Sequence, residues 1–110
     1  MRLTRHDRAW LDAYRSALAT QCPEAIEEFL VYGSKARGDA GRDSDLDVLL
    51  IVSDRWATRK RQLRRIGYLL AATSDVLPSI LVYTRAEWTH RRQSGSSFYR
   101  AVERDAVAIQ

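Results

Sequence analysis

At 110 residues, 45% hydrophobic and 29% charged, the chain has the make-up of one folded domain (1–110) with a single core rather than of a disordered segment. No apolar run approaches the ~18–20 residues that span a bilayer, no secretory leader is expected behind Met1, and Cys22, the only cysteine, excludes an intrachain disulfide, so a reducing, cytoplasmic setting is expected. A net charge of +4, carried by sixteen arginines and two lysines, calls for anionic company: a nucleotide, a nucleic acid or an acidic protein.

Thr4 and Asp7 form a capping-box pattern with Asp in place of Glu. They open a helix expected to run to about Ala19, with Trp10, Tyr14, Ala17 and Leu18 facing the core. Cys22 and Pro23 sit in a connector, where the thiol reads as structural. Residues 24–32 read as a connector and then a strand whose apolar part is Phe29, Leu30, Val31 and Tyr32. Gly33 ends that strand where a Cβ would block close approach by a backbone or phosphate. Ser34 offers a hydroxyl and an N–H, and residues 35–38 are expected to form a short helical turn whose free N–H groups face an anion. Residues 38–43 form a polar, glycine-rich loop; the Arg37-Gly38-Asp39 tripeptide has no adhesive meaning inside a cell.

Residues 48–52, Val-Leu-Leu-Ile-Val, form an unbroken run expected to be a strand buried on both faces. Just before it, Asp45 and Asp47 share one face of the chain, with Cα atoms roughly 6.5–7 Å apart. Two carboxylates held so close raise each other's pKa. A hard cation that keeps open positions for water and phosphate, such as Mg²⁺, relieves the conflict. The plainer reading is a pair of solvated acids at a strand entrance. Residues 57–73 read as a second helix with Leu63, Ile66, Leu69 and Leu70 on its apolar stripe. Pro78 opens a strand over 79–83. A short helix over 85–92 carries Trp88 inward, Ser94-Gly95-Ser96-Ser97 breaks it, and 98–104 form a last helix packed through Phe98, Ala101 and Val102. Strands separated by helices give an α/β (α+β) class: a small mixed sheet of three to four strands with helices against it.

Gly33-Ser34-Lys35-Ala36-Arg37-Gly38 followed by Ser44-Asp45-Leu46-Asp47-Val48-Leu49-Leu50 resembles the Gly-Ser…Asp-x-Asp motif of the polymerase-β-type nucleotidyltransferase superfamily. By size the chain is similar to the minimal nucleotidyltransferases, small prokaryotic proteins often paired with a helical HEPN-type partner. The resemblance implies that Gly33 and Ser34 hold the triphosphate of ATP, with Lys35 and Arg37 adding charge, and that Asp45 and Asp47 ligate one or two Mg²⁺. AMP would pass to an acceptor hydroxyl with loss of pyrophosphate, the acceptor being commonly a tyrosine of a HEPN-type toxin that the protein silences as an antitoxin. The family carries a third carboxylate on a later strand; that position falls here on Ser79. Asp75, four residues earlier, is the candidate to replace it, or else it is a turn residue ending the second helix.

Two other readings follow from the same residues. A chain lacking the third acid fits a binding module of enzyme ancestry that neutralises a partner protein by contact. Nucleotidylation of a small molecule such as an antibiotic is a third, although such enzymes generally carry a further domain. Arg59, Lys60, Arg61, Arg64 and Arg65 cluster on the second helix, as a nucleic-acid surface, a solvated face or a site for an acidic partner. Trp56 either stacks on a base or packs over the end of the buried strand. His90 has no second histidine near it in sequence.

Overall fold

In a computed structural model of the chain, which describes residues 1–39, 41 and 44–110, the apolar run at 48–52 lies inside the sheet. The strand β2 (Leu46–Val52) has β1 (Ile26–Tyr32) antiparallel on one side and β3 (Pro78–Thr84) parallel on the other. A two-residue strand, β4 (Val107–Ala108), adds to the far edge of β1, giving the order β3-β2-β1-β4. With neighbours on both edges and helices over both faces, every residue from Val48 to Val52 is buried.

Side-chain alternation divides the core in two. Phe29, Val31, Leu46, Val48, Leu50, Val52, Ile80 and Val82 face α1 (Arg5–Gln21) and α3 (Lys60–Ala71). Leu30, Leu49 and Ile51 face the opposite way, toward Trp88 of α4 (Arg85–Gln93) and Val102 of α5 (Ser97–Asp105). A five-residue helix, α2 (Gly33–Arg37), follows β1 directly. This is the α+β, four-stranded mixed-sheet architecture expected. The loop expected at 38–43 lies partly outside the described residues, since Ala40, Arg42 and Asp43 are not among them.

The helix starts follow local chemistry. Asp7 N–H donates to Thr4 Oγ1 and Thr4 N–H to Asp7 Oδ2, both at 2.9 Å, so the box closes with Asp in the Glu position. Thr84 and Glu87 close a second box at α4. The second predicted helix begins later than residue 57, because Asp54–Trp56 form a 3₁₀ turn. Trp56 is buried with the Arg59 guanidinium 3.9 Å over its ring, so it packs at the strand end.

The apolar stripe of α3 also differs from expectation. Leu63, Ile66 and Leu70 pack against the core as expected, but Leu69 is 59% exposed and Gly67 takes a buried place on that face. Trp10 Nε1 donates to the Gly67 carbonyl at 3.0 Å and Tyr14 Oη to the Leu63 carbonyl at 2.8 Å. Those bonds draw the helix backbone against α1, and only a residue without a side chain fits between.

The exposed edge of β3 is blunted. The register with β2 points the backbone groups of Pro78, Ile80, Val82 and Thr84 away from the sheet. Pro78 has no N–H, Ile80 N–H donates to Tyr68 Oη at 3.1 Å, and Thr84 N–H donates to Glu87 at 2.8 Å. Only Val82 is left with an outward donor, which protects the edge from strand addition.

Gly67→Ala tests the α1–α3 contact. A Cβ at Gly67 would lie 2.6 Å from Ile80 Cδ1 and 2.8 Å from Tyr14 Cζ. Overpacking at about 1–3 kcal/mol outweighs the ~1 kcal/mol helix advantage of alanine. The variant should lower Tm in a thermal melt, whereas a surface glycine-to-alanine change in a helix would raise it.

Candidate functional site

The site is a row across the sheet on the α4/α5 side. Tyr32 pairs with Asp47 across β1 and β2, and Asp47 pairs with Ser79 across β2 and β3. The three side chains therefore stand abreast on one face of the sheet, the one that α4 and α5 pack against. Asp45 lies one strand step before Asp47 and is exposed; Asp47 is half-buried.

Gly33 brings the preceding turn onto this row. Its φ is +74°, a left-handed conformation that side chains disfavour. A Cβ there would run into Asp47 Oδ2 and come within 3.2 Å of Asp47 Cγ. Both constraints require glycine. Beyond it, Gly38 N–H and Asp39 N–H donate to the Ser34 carbonyl at 3.0 and 3.1 Å and close α2. The N–H groups of the first turn of a helix have no intrahelical acceptor. The sequence-predicted Gly33, Ser34, Asp45 and Asp47 are thus brought to one corner.

The electrostatics of the row are those of crowded anions. Burial and the neighbouring Asp45 charge push the Asp47 carboxyl up from its ordinary value, and Arg37 pulls it partly back. Burial and then Asp47 push the Tyr32 phenol up to about 12, so Tyr32 stays neutral beside the acids. Its ring rests on Phe98 at 5.5 Å. Two carboxylates, one of them short of water, fit a hard divalent cation that takes its remaining ligands from water and phosphate. Among the described residues no group of three or more His, Cys, Asp or Glu side chains converges as a metal site.

Other expected site residues fall differently. Lys35 does not face the row: its Nζ lies 2.6 Å from Asp7 Oδ2, and the two side chains are only 6% and 3% exposed. Asp7 thus receives both Lys35 and the Thr4 N–H, and Arg2 N–H donates to the Lys35 carbonyl at 2.8 Å. Lys35 holds α2 down from beneath. Arg37 stays beside the acids, reaching Asp39 at 3.2 Å and Asp105 of α5 at 3.9 Å. Asp75 is drawn to His6 at 3.6 Å and is 85% exposed. His6 belongs to α1, on the other side of the sheet from Asp47, so the structure does not bring Asp75 to the row. Asp7 and Tyr32 are the contributors that sequence reading missed. Asp7 was visible only as a helix cap and Tyr32 only as a strand apolar.

A glycine turn laid on a strand-borne pair of acids, over a four-stranded sheet of this order, defines a nucleotidyltransferase fold. The profile of the nucleotidyltransferase domain family matches residues 11–101, and the chain belongs to that family. It is similar to a protein of Methanocaldococcus jannaschii provisionally named a protein adenylyltransferase, at 26% identity over 73 residues, which is 66% of this chain and 74% of that one. Its fold is similar to the crystal structure of a provisionally named nucleotidyltransferase from Sulfolobus solfataricus. There the TM-score is 0.51 at 18% identity, over 97% of this chain and 87% of the other.

Two measurements test the corner. Lys35→Met leaves Asp7 buried without its cation and should lose about 3–5 kcal/mol of stability; Asp7→Asn with Lys35→Met should recover most of it in urea unfolding. The Asp47 carboxyl is raised in the folded state, so between its ordinary value near 3.8 and the raised one the native protein binds more protons than the unfolded chain. Stability therefore falls as pH rises through that window. Asp47→Asn should raise the Tm of metal-free protein at neutral pH, and the advantage should vanish at about pH 3–4.

Proposed function

We propose that the protein is a metal-dependent transferase that moves AMP from ATP to a hydroxyl of an acceptor protein. The observation that carries this reading is the placement of Asp45 and Asp47 against the Gly33 turn, which lies so close to Asp47 that a Cβ at residue 33 would meet its carboxylate. In the proposed step the acceptor oxygen bonds to the α-phosphorus, the bond from that phosphorus to the bridging oxygen breaks, and pyrophosphate leaves. The hydroxyl proton passes to solvent. Gly33, Ser34 and the α2 amides hold the phosphate tail, Arg37 offsets its charge, and Asp45 and Asp47 hold Mg²⁺. When bound, the ion neutralises charge on the phosphoryl oxygens. Such catalysis consists largely of positioning and charge neutralisation.

The similarity to a provisionally named protein adenylyltransferase supports a protein acceptor. A HEPN-type toxin, silenced by modification of a tyrosine hydroxyl, is the acceptor we propose, which makes the protein an antitoxin. A cytoplasmic site of action is part of the proposal. It agrees with the buried free thiol of Cys22 and with the absence, among the described residues, of any helix long and apolar enough to cross a membrane.

One observation favours a second reading. Ser79, not an acid, is the register partner of Asp47, and a hydroxyl replaces neither the charge nor the basicity of a carboxylate. A nucleotidyltransferase fold that neutralises its partner by contact alone fits that feature.

Labelled ATP, Mg²⁺ and the candidate toxin separate the two. Transfer of label to the toxin is expected, with a loss of about 100-fold or more on Asp45→Ala, on the order of several kcal/mol of charge stabilisation. Toxin neutralisation that survives Asp45→Asn with Asp47→Asn, without label transfer, would establish the contact mechanism instead.

A further inference from the structure

A shallow groove of about 490 Å³ on the outer side of α3 is lined by Arg61, Arg64, Arg65, Tyr68 and Leu69. These positions fall at three-, four- and seven- to eight-residue spacings, so they form one stripe about two turns long. Among the described residues, none of the three arginines is in an ion pair or a side-chain hydrogen bond. Of the arginines among the described residues, only Arg37, Arg85 and Arg104 have carboxylate partners; what sets the groove apart is that three uncompensated arginines share one stripe.

The stripe continues onto the sheet. Tyr68 reaches the β3 edge through its bond from Ile80 N–H. Leu77 and Leu81 flank Ser79 along the chain and are 63% and 37% exposed, and Leu69 is 59% exposed. Leu81 shares the face of Ser79 and Asp47 by alternation, and the Leu77 carbonyl accepts from Leu46 N–H at 2.9 Å, beside Asp45. Tyr68 thus joins the arginine stripe and Leu69 to the β3 edge, while Leu81 stands on the opposite side of the sheet with the carboxylate row.

The geometry points to this surface as the docking site for an acidic amphipathic helix of the acceptor protein, with glutamates or aspartates against Arg61, Arg64 and Arg65 and an aliphatic side chain against Leu69. The identification of that protein as the acceptor rests on the function proposed above; the surface and its partner chemistry do not. Charge complementarity selects an anion. A partner strand is disfavoured because the outward N–H groups of Ile80 and Thr84 are already engaged and Pro78 has none. A second copy of this chain would bring net positive charge against net positive charge. Tyr68, the aromatic of the groove, is tied through its Oη to the β3 edge, and the exposed Leu69 beside it offers a nucleic acid neither a phosphate contact nor a stacking surface but suits the apolar stripe of a helix laid in a groove.

The test uses the full chain and a fluorescein-labelled synthetic helix with Glu and Leu at alternating three- and four-residue spacings. Saturable binding by anisotropy is expected, weakening as salt is raised. Arg61→Glu with Arg65→Glu should weaken it at least about tenfold, and a Lys-for-Glu version of the peptide should bind that variant in preference to the wild type. Leu69→Ser should weaken binding with the salt dependence unchanged. Asp47→Asn should bind the peptide as the wild type does, and the charge-reversed variant should bind Mg-ATP as the wild type does, so loss of the transferase reading and loss of the docking site are separate results. No saturable binding, no effect of charge reversal and no charge-swap rescue would each overturn the proposal. So would a single-stranded RNA oligonucleotide of matched length that binds more tightly and displaces the peptide.

Discussion

The corner where β1 turns into α2 depends on one close approach, that of Gly33 to the Asp47 carboxylate. A side chain at residue 33 would meet that carboxylate and strain the backbone at φ +74°. Without one, the turn settles directly on the acid borne by the next strand, and α2 starts at the height of the carboxylate row. The chemistry assigned to the site follows from that contact: an anion held by the turn and a cation held by the acids would share one corner.

Two further constraints keep the corner in place. From above, β2 is hydrogen-bonded on both edges and buried on both faces, so Asp47 projects from a strand fixed by pairing and packing. From below, the buried Lys35–Asp7 pair fastens α2 to the cap of α1. Asp7 accepts from the Thr4 amide and the Lys35 ammonium together, so the start of the first helix and the seat of the Gly33 turn are a single polar cluster. The half-buried Asp47, pushed toward its neutral form by burial and by Asp45, is the local opposite: its charged form is disfavoured where it stands. The site is strained electrostatically inside a frame that is not.

The sheet edges divide the labour of the surface. β4 covers part of the outer edge of β1, while the β3 edge is guarded by Pro78, Tyr68 and the Thr84–Glu87 cap. A partner meeting the β3 side therefore encounters side chains rather than unpaired backbone. There the arginines of α3 and Leu69 meet the edge through Tyr68, on the opposite side of the sheet from the carboxylate row.

Much of this was legible in residue order alone. The buried run 48–52, the two acids ahead of it, the glycine-serine turn and both bounds of the sheet class come from patterns within a few residues: alternation, apolar runs, caps and turn formers. Those patterns reflect forces that act between near neighbours, which is why they survive in the sequence. Lys35 could not be placed from its neighbours, because its partner lies twenty-eight residues away and only packing decides whether a lysine on a turn faces phosphate or core. The exposure of Leu69 had the same origin: Gly67 is the residue that α1 approaches, and no periodicity marks a glycine as part of an apolar stripe. Asp75 was a neighbour of Ser79 in order but belongs in space to His6. β4, two residues long, forms because β1 offers it an edge. Sequence determined the elements and the chemical kinds at the site; tertiary structure decided which charges are buried together, which face open water, and which acids share a corner, because those choices depend on distances between segments that meet only after the chain has folded.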